Sequence, residues 1–369
     1  MDEDVIAGAV LRIDLGALAA NYRIIQRAVA PAAVAGVVKA DGYGLGAAQV
    51  AEALIGAGCR HLFVALLTEA AALKPQLPPN IPLFVLNGLN PGAEPACAAI
   101  GAIPVLNSLD QIDRWAAEAQ RRGRTLPAAL QLDSGMSRLG LPPEEVEALA
   151  ADSARLDGIE TVLVMSHLAC ADDPAAAANA RQRAAFLSLA ERLPAARRSL
   201  DNSGGSLLPR GHLDLVRAGI ALYGGAPQEG ENPMRPVVSL TTRIVQTRTV
   251  PAGTGVGYGL SWVAPRESRI ATVPVGYADG WPRHLGNIGA AFIGGIRVPI
   301  AGRVSMDSLT LDVTDVPDAL LAPGSLVELL GPHQTIDMVA RDAGTISYEI
   351  LTRLGHRYAR HYATEGMTA

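Results

Sequence analysis

The first 235 residues alternate eight times between a short apolar run and a longer segment with helical spacing. The runs are rich in Val, Ile and Leu, as strands buried on both faces are. The segments between them, such as 47–58 and 109–122, place apolar residues three and four positions apart, which is typical of helices that cover a sheet. Eight such units within roughly 200 to 250 residues favour a closed (β/α)8 barrel of the TIM type over an open doubly wound sheet. The predicted strands are residues 34–40, 62–67, 81–87, 102–107, 127–133, 160–167, 198–203 and 214–220.

After about residue 236 this alternation stops. Segments rich in β-branched residues follow one another with no long helical segment between them, a pattern typical of sheets without covering helices. They are residues 237–250, 270–275, 296–304 and 308–313. We therefore predict an α/β barrel domain over 11–235 and a mostly-β domain over 236–369 together with 1–10, with a last helix over 347–361.

Composition and charge exclude several classes of protein. Of the 369 residues, 49% are apolar and 18% are charged, which predicts a globular rather than a disordered chain. The longest uncharged stretch, 75–93, contains five prolines, so no membrane-spanning helix is predicted. A net charge of −5 without a run of Lys or Arg gives no general attraction to a phosphate backbone, so nucleic acid is not a predicted partner.

Cysteine usage and the first residues bear on the cellular compartment. The chain has three cysteines, an odd number without CxxC spacing, so neither a disulfide framework nor a metal site is predicted. They are Cys59, Cys97 and Cys170. The opening Met-Asp-Glu-Asp lacks the basic start and apolar core of a secretory signal. We predict a cytoplasmic location.

Polar side chains follow the predicted barrel strands at the end where barrel enzymes place their active sites. Lys39 and Tyr43 lie in VVKADGYG, and a lysine at the end of a buried strand is partly desolvated, which makes its neutral amine more available. Taken alone, such a lysine or a histidine in an apolar run is more often structural. The joint appearance of these groups at successive strand ends favours a site; the others are Arg138, His167, Ser203, Arg217 and Gly219. Ser203 and the backbone at Gly219 and Ile220 could bind a phosphate.

Six motifs, read together, resemble those of the alanine racemase family, which uses pyridoxal 5′-phosphate. They are VVKADGYG with Lys39, GMSRLG with Arg138, VRAGIALYG with Arg217, GVGYGLSW with Tyr258, VGYADGWPR with Tyr277 and GRVSMD with Met306. The motifs span nearly the whole chain. The resemblance implies a barrel followed by a β domain, and a head-to-tail homodimer whose active sites use both chains.

The resemblance also implies a role for each matching residue. Lys39 would bond the cofactor aldehyde and act as one of two bases, while Tyr258 of the partner subunit would be the other base. His167 and Arg217 would stabilise the Tyr258 phenolate, and Arg217 would also donate to the pyridine nitrogen. Arg138 and the Met306 backbone N–H would bind the carboxylate of alanine. The phosphate would lie against Tyr43, Ser203, Gly219, Ile220 and Tyr348, and Tyr277 and Tyr348 would narrow the entrance.

Two positions depart from the family pattern, and several alternatives stay open. Gln131 stands where many members have a carbamylated lysine, and Ser305 stands where many have a cysteine. A racemase of another small amino acid, such as serine, is one alternative. A decarboxylase on the same barrel is a second, although it normally uses a cysteine of the C-terminal domain and all three cysteines here precede residue 171. A non-catalytic pyridoxal-phosphate-binding barrel is a third. The motifs also leave open whether the reaction supplies D-alanine for cell wall or consumes L-alanine.

Overall fold

The computed structural model describes residues 3–364 and divides into two compact units. The barrel unit comprises Leu18–Leu222 and Ala226–Met234. The C-terminal unit joins the chain up to Ala17, the short segment Tyr223–Gly225 and the chain from Arg235 onward. The N-terminal helix α1 (Glu3–Ile6) and strand β1 (Ala9–Asp14) therefore belong to the C-terminal unit.

The barrel unit contains eight parallel strands. They are β2 (Ala33–Val37), β3 (Leu62–Val64), β4 (Leu83–Val85), β5 (Ile103–Leu106), β6 (Leu126–Gln131), β7 (Ile159–Met165), β8 (Arg197–Ser199) and β9 (Leu215–Ala218). Their order is β8-β7-β6-β5-β4-β3-β2-β9. The two ends of this sheet are joined because the Arg217 N–H donates to the carbonyl of Asp201 (2.9 Å) and the Ser199 hydroxyl donates to the carbonyl of Leu215 (2.6 Å). The predicted barrel is confirmed.

Helices cover the outside of this sheet, as the apolar spacing predicts. They are α2 (Leu15–Val29), α4 (Ala47–Gly56), α5 (Leu67–Leu73), α6 (Glu94–Ile100), α7 (Leu109–Arg122), α8 (Pro143–Ala151) and α9 (Ala177–Ala190). The short segment α3 (Lys39–Tyr43), which follows β2, is a left-handed turn and not one of these helices. Helix α7 shows how the sequence sets these elements. Its N-cap Ser108 accepts from the Gln111 N–H, and it ends at Gly123, whose φ is +63°. Ile112, Trp115 and Ala119 form its buried stripe.

The C-terminal unit is built mostly from strands. They are β10 (Val238–Arg243), β11 (Gln246–Val250), β12 (Gly255–Val256), β13 (Trp262–Val263), β14 (Ser268–Val273), β15 (Ala290–Ile293), β16 (Ile296–Pro299), β17 (Leu309–Asp312), β18 (Leu326–Leu330) and β19 (Ala359–Ala363), with helices α10 (Ile336–Asp342) and α11 (Ser347–Arg353). The strands form a six-stranded sheet in the order β16-β15-β18-β10-β1-β19, a three-stranded sheet β11-β14-β17 and the β12–β13 hairpin.

Two details differ from the sequence-based expectations. The expected barrel boundary at residue 11 falls inside β1, which pairs with β10 and β19, so the structure divides the chain after Ala17 instead. The predicted last helix over 347–361 is wrong beyond Arg353. Leu354 leaves the helical conformation (φ −57°, ψ 111°), and the chain then pairs as β19 alongside β1.

Candidate active site

Lys39 stands where the chain leaves β2 and enters the α3 turn. Ala40, Asp41, Gly42 and Tyr43 have φ values of +52°, +53°, +61° and +57°, so the turn is left-handed. Each residue with a Cβ costs about 1–2 kcal/mol in this conformation, so the surrounding structure must hold the turn. The Asp41 carboxylate accepts from the Ala47 N–H (2.8 Å), which ties the turn to α4.

The environment of Lys39 lowers the proton affinity of its amine. Burial is the main cause of its lowered pKa, and the positive charge of Arg138 acts in the same direction. The carboxylate of Glu69 opposes both. The Nζ of Lys39 is therefore more easily neutral than that of an exposed lysine, as a nucleophile or a base requires.

Arg217 on β9 is the most deeply buried cation of the site, with 3% of its surface exposed. Its Nη1 donates to the Ser199 hydroxyl, and its Nη2 donates to the carbonyl of Ser166 and to Nδ1 of His167 (3.3 Å). Burial lowers the Arg217 pKa to about 10, against the opposing charge of Asp201. The guanidinium of Arg217 therefore stays charged at neutral pH.

His167, which follows β7, is neutral. Burial lowers its pKa to about 3, and the positive charges of Arg217, Arg138 and Lys39 contribute in that order. Since a guanidinium can only donate, Nδ1 of His167 accepts from Arg217, and Nε2 lies 3.4 Å from Nδ2 of Asn202. Lys39 follows β2, Arg138 follows β6, His167 follows β7 and Arg217 lies on β9, so all four side chains belong to the end of the barrel where the parallel strands finish. The positive charge near this site thus comes from the arginines and Lys39 rather than from His167.

A cradle of hydrogen-bond donors forms where β9 ends. The Ser203 hydroxyl accepts from the N–H groups of Gly219 (2.8 Å) and Ala221 (3.4 Å). A Cβ on residue 219 would lie 2.3 Å from the Tyr43 hydroxyl, so only glycine fits beside that tyrosine. Within residues 3–364 the Ile220 N–H makes no hydrogen bond. Hydroxyls and backbone N–H groups of this kind can donate to a phosphate.

Arg138 lies in a loop that is shaped by one carboxylate. Oδ1 of Asp133 accepts from the N–H groups of Gly135, Met136 and Ser137 at 2.9 to 3.1 Å. Arg138 itself is exposed and forms no ion pair or side-chain hydrogen bond in the described part of the chain. Gln131 is buried at the end of β6. The guanidinium of Arg138 is thus available to an anionic ligand.

The remaining predicted residues lie in the C-terminal unit. The Tyr277 N–H donates to the carbonyl of Ser305 (3.0 Å) and the Ala278 N–H to that of Met306 (2.9 Å), so the Tyr277 and Met306 loops are joined. Tyr258 lies in the turn between β12 and β13 with 71% of its surface exposed. Asn287 connects that hairpin to the Met306 loop by donating to the Ser261 hydroxyl (3.2 Å) and accepting from the Gly302 N–H (2.7 Å).

The predicted residues thus fall into two groups, one in each unit. Lys39, Tyr43, Arg138, His167, Ser203, Arg217, Gly219 and Ile220 belong to the barrel unit, whereas Tyr258, Tyr277, Met306 and Tyr348 belong to the C-terminal unit. Tyr348 lies in the first turn of α11. The part of the chain that the structure describes contains no cluster of three His, Cys, Asp or Glu side chains suited to a metal ion. None of its helices is long and apolar enough to cross a membrane.

Sequence reasoning missed the residues that hold these groups in place. Ser199 and Asp133 each follow or end a barrel strand, and their position at a strand end was the available signal. Glu69 gave no such signal because it lies on α5 and acts on residues that are distant in sequence.

Comparison with known proteins identifies the family. The family model "Alanine racemase, N-terminal domain" matches residues 13–227, and "Alanine racemase, C-terminal domain" matches residues 237–362. The chain belongs to the alanine racemase family. The resemblance inferred from the motifs is confirmed, and with it the enzyme class, an isomerase.

Curated relatives and solved structures agree with this assignment. "Alanine racemase, catabolic" of Agrobacterium fabrum is 54% identical over 98% of this chain and 94% of its own length. "Alanine racemase" of Brucella canis is 53% identical over 98% and 95%. The crystal structure of alanine racemase from Bartonella henselae, described as having covalently bound pyridoxal phosphate, has a TM-score of 0.92 at 43% identity and covers 96% of this chain and 99% of its own. The biosynthetic alanine racemase of Pseudomonas aeruginosa has a TM-score of 0.90 at 35% identity, with the same coverage.

Proposed function

We propose that this chain interconverts L-alanine and D-alanine by proton transfer at both faces of the α-carbon, with Lys39 on one face and Tyr258 on the other. The observation that carries the proposal is the surroundings of Lys39. A half-buried lysine with lowered pKa stands at a barrel strand end together with Arg138, Arg217 and the donor cradle at Ser203. The chain contains only one other lysine, Lys74, which donates to the carbonyl of Ile81 (2.8 Å).

The cofactor is pyridoxal phosphate, and the barrel residues fit it. Tyr43, Ser203 and the Ile220 N–H would hold its phosphate, and Lys39 would hold it covalently. The hydrogen bonds that Arg217 makes in the described chain use Nη1 and Nη2, which leaves Nε for the pyridine nitrogen. When bound, the cofactor supplies the conjugated system that accepts the electron pair left when the α-proton departs.

The protein then has to bind alanine and move protons. The guanidinium of Arg138 and the Met306 N–H, which makes no hydrogen bond within residues 3–364, would bind the carboxylate of alanine. The Nζ of Lys39 exchanges a proton on one face. On the other face the Tyr258 hydroxyl does so, and a free tyrosine has a pKa of about 10, so its phenolate requires stabilisation. His167 and Arg217 would stabilise that phenolate, through the charge of the Arg217 guanidinium and its hydrogen bond to Nδ1 of His167.

We further propose that the enzyme is a homodimer in which Tyr258, Tyr277 and Met306 of one subunit complete the barrel site of the other. These three large side chains are exposed, at 71%, 42% and 52%, and backbone hydrogen bonds join the Tyr277 and Met306 loops. Exposed apolar side chains that form a continuous patch are typical of a surface that binds a partner. A two-fold dimer would contain two equivalent sites of this composition.

The two lysines allow a direct test of the Lys39 assignment. We expect the holoenzyme to be yellow and borohydride to fix the cofactor to Lys39 alone, which peptide mass mapping would detect. Lys74→Arg is the matched control and should keep both colour and racemase activity, whereas Lys39→Arg should lose both. An adduct on Lys74, or a Lys39→Arg variant that retains activity, would contradict the proposal.

Product analysis by chiral chromatography, with serine and other small amino acids beside alanine, tests the choice of substrate.

A further inference from the structure

Glu69 contacts the backbone just after two neighbouring barrel strands, β2 and β3. It lies on α5, and its carboxylate accepts three backbone N–H groups. Oε2 accepts from Ala65 (2.7 Å) and Leu66 (3.0 Å), just after β3. Oε1 accepts from Ala40 (2.6 Å), the residue that follows Lys39. The carboxylate therefore joins the end of β2 to the end of the neighbouring strand β3.

The Ala40 contact meets a specific need of the left-handed turn. Ala40 is the first left-handed residue of α3, with φ +52° and ψ +49°, and its N–H makes no other hydrogen bond in the described chain. A residue with a Cβ adopts this conformation only where its surroundings impose it. Hydrogen bonds to a charged carboxylate are roughly twice as strong as neutral ones. Glu69 is thus well suited to impose the turn at the point where Lys39 leaves the strand.

We propose that Glu69 is a positioning residue for racemisation: it fixes the backbone on which Lys39 and Tyr43 are presented to the cofactor and the substrate. The inference rests on the proposed function, because it assigns Lys39 its role. The charge of Glu69 also acts on Lys39. Its carboxylate favours the protonated amine and so opposes burial and Arg138, which lower the Lys39 pKa.

A purely structural role for Glu69 would involve only the contacts of Oε2 and not the contact of Oε1. A glutamate in the first turn of a helix commonly accepts from the backbone N–H at the helix start, and the bond from Leu66 to Oε2 is of this type. The Ala40 bond to Oε1 crosses to another strand end and adds nothing to that capping. The two roles are therefore separable by experiment.

Two variants, Glu69→Gln and Glu69→Asp, distinguish the contribution of the carboxylate charge from that of the side-chain length. Glutamine keeps the length but loses the charge and one acceptor oxygen, whereas aspartate keeps the charge but is too short to span both strand ends. We expect each to lower kcat for alanine by about tenfold to a hundredfold, the usual cost of misplacing a catalytic group by about 1 Å. KM should change much less. Glu52→Gln, an exposed glutamate on α4, is the matched control and should behave as the unmodified enzyme.

The second readout is the titration of Lys39 in the cofactor-free enzyme. Reductive methylation with 13C-formaldehyde gives two lysine NMR signals, because Lys39 and Lys74 are the only lysines of the sequence. In Glu69→Gln the Lys39 signal should titrate at lower pH than in the unmodified protein, and in Glu69→Asp it should move much less. The Lys74 signal should stay in place in both.

The outcomes separate the two proposals. If both variants melt at lower temperature but keep kcat and the Lys39 titration, Glu69 only caps α5 and the inference is wrong. The same conclusion follows if Glu69→Asp alone folds and keeps full kcat. If the unmodified enzyme gives no cofactor adduct on Lys39, it is the proposed function that fails, whatever the variants do.

Discussion

Burial sets the protonation state of single residues throughout the barrel unit. Arg217 remains charged although it is almost fully buried, because its pKa falls only to about 10. His167 becomes neutral, with a pKa of about 3, because burial and three nearby cations act in the same direction. His61 behaves in the same way outside the candidate site. Its Nε2 lies 2.9 Å from Nη1 of Arg197, and burial, followed by this positive charge, lowers its pKa to about 4.

His61 therefore makes stability depend on pH in a defined direction. Above about pH 6.5 the histidine is neutral in both the folded and the unfolded chain, and burying it costs no proton. As the pH falls from 6.5 towards 4, the unfolded chain binds a proton that the folded chain does not, so stability decreases. We expect the free energy of unfolding of the unmodified enzyme to fall more steeply over this range than that of His61→Gln, by at most about 1.4 kcal/mol per pH unit.

Urea unfolding at pH 7, 6, 5 and 4, at one fixed protein concentration, measures this difference. His284→Gln replaces an exposed histidine and should follow the unmodified curve. The unmodified enzyme, His61→Gln and His284→Gln all retain His167, whose lowered pKa gives a pH dependence of the same sign that is common to the three curves. Parallel curves for the unmodified enzyme and His61→Gln would show that His61 is protonated in the folded state.

At the scale of elements, the apolar periodicity of the sequence predicted the barrel strands, because these depend on the local pattern of residues. Each of the eight predicted runs overlaps an observed barrel strand, and β2, β6, β7 and β8 begin one residue before the predicted run. The left-handed α3 turn was not predictable, because Ala, Asp and Tyr rarely adopt positive φ and are held there by Asp41 and Glu69 contacts with other elements. The end of α11 was missed for a similar reason, since β19 forms only by pairing with β1, almost 350 residues earlier.

Arg357 joins two loops of the C-terminal unit that carry predicted site residues. Its Nε donates to Oδ1 of Asp279 (2.6 Å) in the Tyr277 turn, and its Nη1 donates to Asp307 (2.7 Å), the residue after Met306. Oδ2 of Asp279 in turn accepts from the Gly276 N–H (2.8 Å). One guanidinium thus fixes the relative position of both loops.

Replacing Arg357 should therefore impair substrate binding more than folding. In Arg357→Gln both loops lose this common anchor, and we expect KM for alanine to rise by about tenfold, equivalent to one hydrogen bond to a charged group. Because Arg357 is half-exposed, its replacement should lower the free energy of unfolding only slightly. Arg353→Gln removes an exposed ion pair with Glu349 and should leave KM unchanged. An Arg357→Gln enzyme with normal KM and lowered stability would show that the anchor is structural only.

At the scale of the whole molecule, the two units divide the chemistry between them. The barrel unit contains Lys39, the proposed phosphate site at Ser203 and the buried Arg217, whereas the C-terminal unit exposes Tyr258 and Met306. Motif order along the chain predicted both groups of residues, but only the family resemblance assigns Tyr258 to the partner subunit, because local sequence carries no information on assembly. The homodimer with shared sites is therefore the proposal that needs a test of its own.

Mixed dimers supply that test because each subunit can be given a different defect. Lys39→Ala and Tyr258→Phe homodimers should both be nearly inactive, the first for want of the covalent lysine and the second for want of the tyrosine base. If each site combines Lys39 of one subunit with Tyr258 of the other, a mixed dimer has one intact site and one site with both defects. Random exchange of equal amounts makes half of all dimers mixed, so activity should recover to about a quarter of the unmodified level. Exchange is verified by native mass spectrometry of subunits with different tags. Full exchange without recovery would place Lys39 and Tyr258 of the same chain in one site, and normal rates in both directions for Tyr258→Phe would exclude the tyrosine as a base.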